Sequence, residues 1–417
     1  MRKSVLYIAV AGAACLPFTA SAQASEVTIY GTFLPFADNI RTTGATAPGL
    51  SPATGGASLV SAAAYTGINL PARNRVTSGT SNLGFKGDYR INEDLKVFWQ
   101  VESAVSPDGD APNALTSRNS AVGLKGSWGT VFFGSWDTPY KYPILFVGAL
   151  RGLNPFDNAI TANPGFNVPG TTTQTGRANS KADASFNRRQ GNSLQYWTPT
   201  WNGFSARIAY SAGEGKTVAS ATSASVTPDL WSALVTYQKG PFGISYAHER
   251  HNDYFGLAQM GGSAAATLTN TTSKDDGDEL VAHYTFPTGT KLSVIAERLA
   301  YNTTDSVVGN VNSYERDAWY ALVQQKLGAH QLWASLGSAG AGKTTRTGGA
   351  PASSDGLGGR QWTVGYSYAL AKCADLYASY YCMTNDRSAS YALFPPAGTV
   401  APGADTKGFG MGLLYTF

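Results

Sequence analysis

From Thr406 to Phe417 the chain reads T-K-G-F-G-M-G-L-L-Y-T-F. Phe409, Met411, Leu413, Tyr415 and Phe417 fall on one parity, and Gly408, Gly410, Gly412 and Thr416 on the other. Successive side chains of a strand point to opposite faces, so this segment has one greasy face and one small or polar face. A soluble sheet with such an exterior would be an aggregation hazard. A membrane-spanning barrel accommodates it, because lipid covers one side, water the other, and the last strand closes on the first.

The same alternation recurs along the chain. Leu95, Val97, Trp99 and Val101 oppose Lys96, Gln100 and Glu102; Phe204, Ala206, Ile208 and Tyr210 oppose Ser205, Arg207 and Ser211; Trp362, Val364, Tyr366 and Tyr368 oppose Thr363, Gly365 and Ser367. A lysine or arginine on the lipid side costs about 2–4 kcal/mol at mid-depth, whereas on the lumen side it keeps its water. Strands are predicted at 26–38, 81–90, 95–105, 118–127, 130–136, 188–198, 205–211, 230–238, 242–251, 279–286, 290–301, 314–327, 330–338, 360–370, 375–386 and 407–417. Seven short turns alternate with eight longer loops, and both ends lie on the short-turn side. An even strand count with that asymmetry is the bacterial outer-membrane arrangement. The reading is all-β: a 16-stranded antiparallel transmembrane β-barrel, wide enough for an aqueous channel. Aromatics near the short turns, among them Tyr89, Trp128, Trp201, Phe286 and Tyr415, form the expected interfacial girdle. The longest connection, about 137–187, calls for a functional reason.

The N-terminus carries Arg2 and Lys3, an apolar run from Val5 to Phe18, then Ala20-Ser21-Ala22-Gln23-Ala24. This is the pattern of a secretory signal peptide, residues 1–24, cleaved after Ala22 or Ala24 and leaving one barrel domain at 25–417. No later stretch approaches the apolar length of a membrane helix. Charged residues are 14% of the chain, and the formal net charge of +4 falls to about +2 when Arg2 and Lys3 are removed. A near-neutral chain is not a bulk nucleic-acid binder. Cys373 and Cys382 remain after signal cleavage, too far apart along one strand to bond. His248, His251, His283 and His330 lie in no nucleophile motif, and no metal-ligand or phosphate-loop spacing exists, so neither an enzyme nor a cofactor is expected.

Several segments resemble the general trimeric porins of Gram-negative bacteria, most closely the β-proteobacterial type. They are V-T-I-Y-G from Val27, S-N-L-G-F-K-G from Ser81, R-N-S-A-V-G-L-K-G from Arg118, G-T-V-F-F-G from Gly129, R-Q-G-N-S-L-Q-Y from Arg189 and D-L-Y-A-S-Y from Asp375. Their order across nearly the whole chain carries the resemblance more than any single motif. It implies a third loop folded into the lumen as a constriction, for which about 137–187 is the candidate, and a ladder of arginines on the wall facing it. Arg118 and Arg189 match two ladder positions, with Arg75, Arg188, Arg151 and Lys181 as further candidates. Asn82 and Ser135 stand where the family often carries Arg, and Y-P-I-L-F-V-G from Tyr142 stands near the place of its P-E-F-G-G loop core. Strict alternation sets Arg118 on the lipid face with Ser120, Val122 and Leu124, whereas the resemblance needs it inward; a bulge or a position at the strand start would reconcile the two.

The resemblance further implies a homotrimer in outer-membrane lipid and lipopolysaccharide, with Phe417 read by the barrel-assembly machinery. The expected function is passive diffusion of small hydrophilic solutes and ions with a weak anion preference, since rings of Arg and Lys stabilise anions at a constriction. A substrate-specific channel is the alternative, followed by a barrel enzyme or a surface adhesin. The acidic run 274–279 is expected in the fifth loop, as a solvated segment or a cation-mediated contact to lipopolysaccharide.

Overall fold

The computed structural model describes residues 27–47, 66–109, 115–150, 158–166, 172–174, 184–212, 218, 225–257, 271–348, 354, 356–392 and 400–417. The signal peptide, Arg151 and Lys181 lie outside the described residues. The strands are β1 (Val27–Phe33), β2 (Phe36–Thr43), β3 (Arg73–Thr77), β4 (Asn82–Arg90), β5 (Lys96–Ala104), β6 (Ser120–Gly126) and β7 (Gly129–Asp137). Then come β8 (Thr172–Gln174), β9 (Arg188–Trp197), β10 (Phe204–Ala212), β11 (Asp229–Lys239), β12 (Phe242–Asn252), β13 (Ser273–Thr285) and β14 (Thr290–Thr303). The series ends with β15 (Val311–Leu327), β16 (His330–Ala339), β17 (Lys343–Arg346), β18 (Gly359–Ala371), β19 (Ala374–Asn385) and β20 (Asp405–Thr416).

β1 and β2 are one stave interrupted at Leu34-Pro35, where proline has no N–H for the ladder. β3 and β4 are likewise one stave, bent through Gly79 at φ 57°. The two breaks sit side by side, and the Leu34 N–H donates to Ser81 Oγ at 2.9 Å. β17 prolongs β16, and β8 is a short parallel segment on β9. The remaining architecture is sixteen antiparallel staves, and β20 pairs with β1 and β2 to close the barrel. At the seam the backbones of Gly31 and Phe417 exchange two hydrogen bonds of 3.1 Å. The Phe417 ring stacks on Phe33 at 5.7 Å and occupies the space a Gly31 side chain would need.

The period-two pattern sorts as a barrel requires. Phe133, Trp231, Val235, Leu292 and Val294 face out and are exposed, while Ser232, Glu249, Ser293 and Glu297 face in and are buried. Short connections join the staves at one end; Gly240 at φ 56° and Gly328 at φ 64° supply the left-handed residue that two of these turns need. Long connections join the other end.

Three expectations are corrected. The first stave runs on to Thr43, and the second begins at Arg73 instead of 81. The acidic run belongs to β13 and not to a loop, because β12 and β14 pair with it on both sides. Alternation then splits it: Asp276 and Asp278 point outward, where Arg250 lies 2.6 Å from Asp276 and His248 2.9 Å from Asp278, while Asp275 and Glu279 are buried inside. Both cysteines are free, as their spacing requires.

Described residues of the third long connection share two buried clusters with residues of the wall. Val147, Leu150 and Ile160 join Ile295, Tyr320, Leu322 and Trp333 in one buried cluster. Ala162 and Phe186 join Leu299, Tyr301 and Tyr314 in another. Each apolar side chain so covered is worth about 1.5–3 kcal/mol.

Candidate functional site

The inner wall of the first staves carries two sets of charged and polar contacts. Tyr30 donates from its hydroxyl to Glu102 Oε2 at 3.0 Å, and Arg118 Nε lies 2.6 Å from Glu102 Oε1. Arg189 Nε donates to Asn119 Oδ1 at 2.6 Å, and Asn119 Nδ2 to Asp137 Oδ2 at 3.0 Å. Asp137 also holds Lys141 at 2.9 Å and Arg189 at 3.2 Å. Burial pushes the Lys141 ammonium below its ordinary range, against the opposing pull of Asp137.

The inward placement of Arg118 comes from a slip in the ladder. Beyond the Gln100–Ala121 pair, the Glu102 N–H donates to Ser120 Oγ at 3.0 Å, while the Arg118 N–H reaches Glu102 O at 3.0 Å. Strict alternation is therefore overturned at this point: Arg118 lies just before β6 and turns to Glu102, away from the face of Val122 and Leu124. A second irregularity falls between Gly134 and Trp136, opposite Asn192 at φ 50°, and brings Arg189 level with Asp137.

The other candidates are placed apart. Arg75 forms a two-point contact with Asp38, at 2.9 and 2.5 Å, across the β2–β3 pair. The Asn82 side chain donates to Thr80 O, at 3.3 Å. Arg188 is wholly buried, bonded to Gln190 at 3.2 Å and stacked 4.8 Å from the Tyr254 ring centre, so it presents no charge to water.

The opposite wall meets the third connection through polar groups that alternation alone did not single out. Glu297 Oε1 accepts from Tyr140 Oη at 2.8 Å and from the Ala162 N–H at 2.5 Å, and Arg316 pairs with Glu297 Oε2 at 3.0 Å. Arg316 also donates to Ile160 O at 3.1 Å and to Asn163 O. Gln324 donates to Gly148 O at 2.9 Å, Gln331 to Ala149 O at 2.7 Å, and Lys291 to Phe146 O at 2.8 Å. The hydroxyl of Tyr140 is pushed well above its ordinary pKa, first by burial and then by Glu297. Arg207, which alternation had placed inward without a role, lies between Tyr142 and Trp197 at 3.2 and 4.0 Å from their ring centres.

A closed barrel of sixteen staves with an apolar exterior and an ion-paired inner wall defines a membrane channel that spans with strands. The model of the Gram-negative porin family matches residues 9–388, and the chain belongs to that family. It is thus an outer-membrane β-barrel through which solutes diffuse passively, and its family is one of channels rather than enzymes. Outer membrane porin protein 32 of Delftia acidovorans is 25% identical over 367 residues, covering 82% of this chain and 86% of that protein. Major outer membrane protein P.IA of Neisseria meningitidis serogroup A is 28% identical over 216 residues, 45% of this chain and 49% of that protein. Among solved structures, an anion-selective porin from Comamonas acidovorans aligns with a TM-score of 0.68 at 17% identity, over 94% of this chain and all of that one. OmpT of Vibrio cholerae aligns at 0.58 and 15% identity, over 95% and 99% of the two chains. These likenesses establish the fold.

Proposed function

We propose that this porin has a weak anion preference, set at a constriction between the third connection, about 137–187, and the Arg118–Arg189 wall. One observation carries the reading: the carboxylates of that wall are matched, and cations are left over. Asp38 is held by Arg75, Glu102 by Arg118, and Asp137 by Lys141 and Arg189 together, while Lys86 and Lys125 have no carboxylate partner among the described residues. The hydrogen bond that Glu297 accepts from the connection, and those that Gln324, Gln331 and Lys291 donate to it, support a connection folded inside the barrel. In this reading Arg118 and Arg189 line the narrow part, Arg75 and Asn82 lie near its rim, and Arg188 packs beneath the connection. Arg151 and Lys181 are candidates on the same connection. A related porin is described as anion-selective, in line with this charge balance.

The signal peptide, assembly through Phe417, contact with lipopolysaccharide and a homotrimer belong to the same reading. OmpT has been described in a trimer form, and here the outer face of the first staves exposes Val27, Ile29, Val76, Val122 and Phe133. Reversal potential across a planar bilayer under a KCl gradient is the direct test. Anion-favouring reversal, weakened by Arg118→Ala with Arg189→Ala, is expected. Cation selectivity would remove the arginines from their assigned role.

A further inference from the structure

We propose that the short-turn end of the lumen holds a binding site for aromatic carboxylates; this rests on the reading of the barrel as an open pore. An open recess of about 450 Å³ lies there, within the usual size of small-molecule sites, and Phe98, Trp136 and Trp197 line it together with Lys86, Lys125 and Gln100. Its position follows from the staves: Trp197 ends β9, and Lys125 stands one residue before the end of β6.

The aromatic side of the recess is a packed cluster. Phe132 is fully buried at its centre, 5.9 Å from Phe98, 5.1 Å from Trp136 and 5.1 Å from Trp197, and the two indoles are 5.8 Å apart. Trp136 and Trp197 remain partly exposed on a wall that faces water. A diffusion channel for ions has no need of indole there, since exposed aromatic area on the water side gains nothing until something covers it. One aromatic stack is already filled: Arg207 sits between Tyr142 and Trp197. This shows that a planar group fits against these rings.

The charge left without an ion-pair partner on the other side has one sign. Among the described residues, Asp88 is the only carboxylate of the recess lining, and Lys96 holds it at 3.2 Å. Lys86 stands 4.9 Å from the Tyr30 ring centre, and Lys125 has no partner among the described residues. Two ammonium groups without a counter-charge therefore face the same space as partly open indoles. An inorganic anion would use the lysines and leave the rings bare. A neutral sugar would use the rings and leave the lysines bare. A flat aromatic ring bearing a carboxylate uses both, with stacking on the aromatic cluster and charge-assisted hydrogen bonds to Lys86 and Lys125.

The test is a planar-bilayer titration on refolded full-length protein. KCl current is followed while benzoate, acetate or benzamide is added on the short-turn side. Benzoate is expected to reduce the current saturably, at half-blocking concentrations at least tenfold below those of acetate and benzamide. Lys86→Gln with Lys125→Gln is expected to raise the benzoate value at least tenfold. A conducting pore on which benzoate acts no more strongly than acetate, or whose benzoate block survives the double substitution, overturns the site and leaves the porin reading standing. Folded barrels that pass no KCl current overturn the pore reading and the site with it.

Discussion

Glu297→Ala is expected to loosen the third connection while leaving the barrel intact. The carboxylate accepts two hydrogen bonds from that connection, from Tyr140 and Ala162, and is the counter-charge of Arg316, with all of these groups buried. A single hydrogen bond to a charged group is worth about 1.5–3 kcal/mol. Removing one partner of a buried ion pair costs about 3–5 kcal/mol, because the other charge is stranded. These figures overlap, so about 3–5 kcal/mol is the total. At 1.4 kcal/mol per factor of ten, docking of the connection shifts by roughly two to three and a half orders of magnitude. The ladder is untouched, since residue 297 pairs through its backbone with Glu279 and Ala318. Single-channel recordings should show a larger and noisier conductance. Glu297→Gln, whose amide oxygen can still accept from Tyr140 and Ala162, should give a record between wild type and the alanine variant. An alanine variant with wild-type conductance and noise, or a glutamine variant no quieter than the alanine one, would refute the assignment of Glu297 as the anchor.

Three further outcomes are expected. Arg207→Leu removes a cation held between two rings, a contact worth about 2 kcal/mol when desolvated, and should raise current noise as Tyr142 gains freedom; an unchanged noise spectrum counts against the stack. Gly31→Ala places a methyl 2.7 Å from the Phe417 ring and 2.8 Å from Asn82 O. It should cost about 1–3 kcal/mol as overpacking and lower the temperature at which the folded band is lost on a gel; an unaltered transition would show that the seam gives way without cost. Cys382 is buried and Cys373 half-buried, so maleimide should label Cys373 faster in the folded barrel, and equal rates would contradict the placement.

Much of the fold was readable from local pattern. The alternation of Phe409, Met411, Leu413 and Tyr415 placed the last stave, and the apolar sets on β5, β10 and β18 placed their lipid faces. The legible part stopped where the pattern changed meaning. Lys274 to Glu279 alternates as faithfully as any stave, but both of its faces carry charge at that height, so hydropathy did not mark it as strand. Arg118 divided alternation from resemblance for a related reason: counting by twos assumes an unbroken ladder, and the slip at Glu102 and Ser120 is a property of the pair. Arg118 and Arg189 were put forward as candidates by resemblance, but the carboxylates they meet were not. Asp137, beside its near neighbour Lys141, meets Asn119 and Arg189 from other segments, and no spacing in the chain announces that meeting.

The sequence by itself determined the class of solvent on each side of the wall. Side-chain alternation is fixed by the geometry of one strand, and the cost of charge in lipid is large enough to enforce it residue by residue. It also determined where the chain turns back, since Gly240 and Gly328 supply conformations that few other residues adopt. Tertiary structure alone decided how the inner wall is used. Whether Glu297 meets Tyr140, whether Lys86 and Lys125 keep their charge unmatched, and whether Trp136 and Trp197 border one recess depend on register across several staves and on the path of the third connection. Those contacts join residues far apart in the chain, and their energies exist only once the barrel has closed around them.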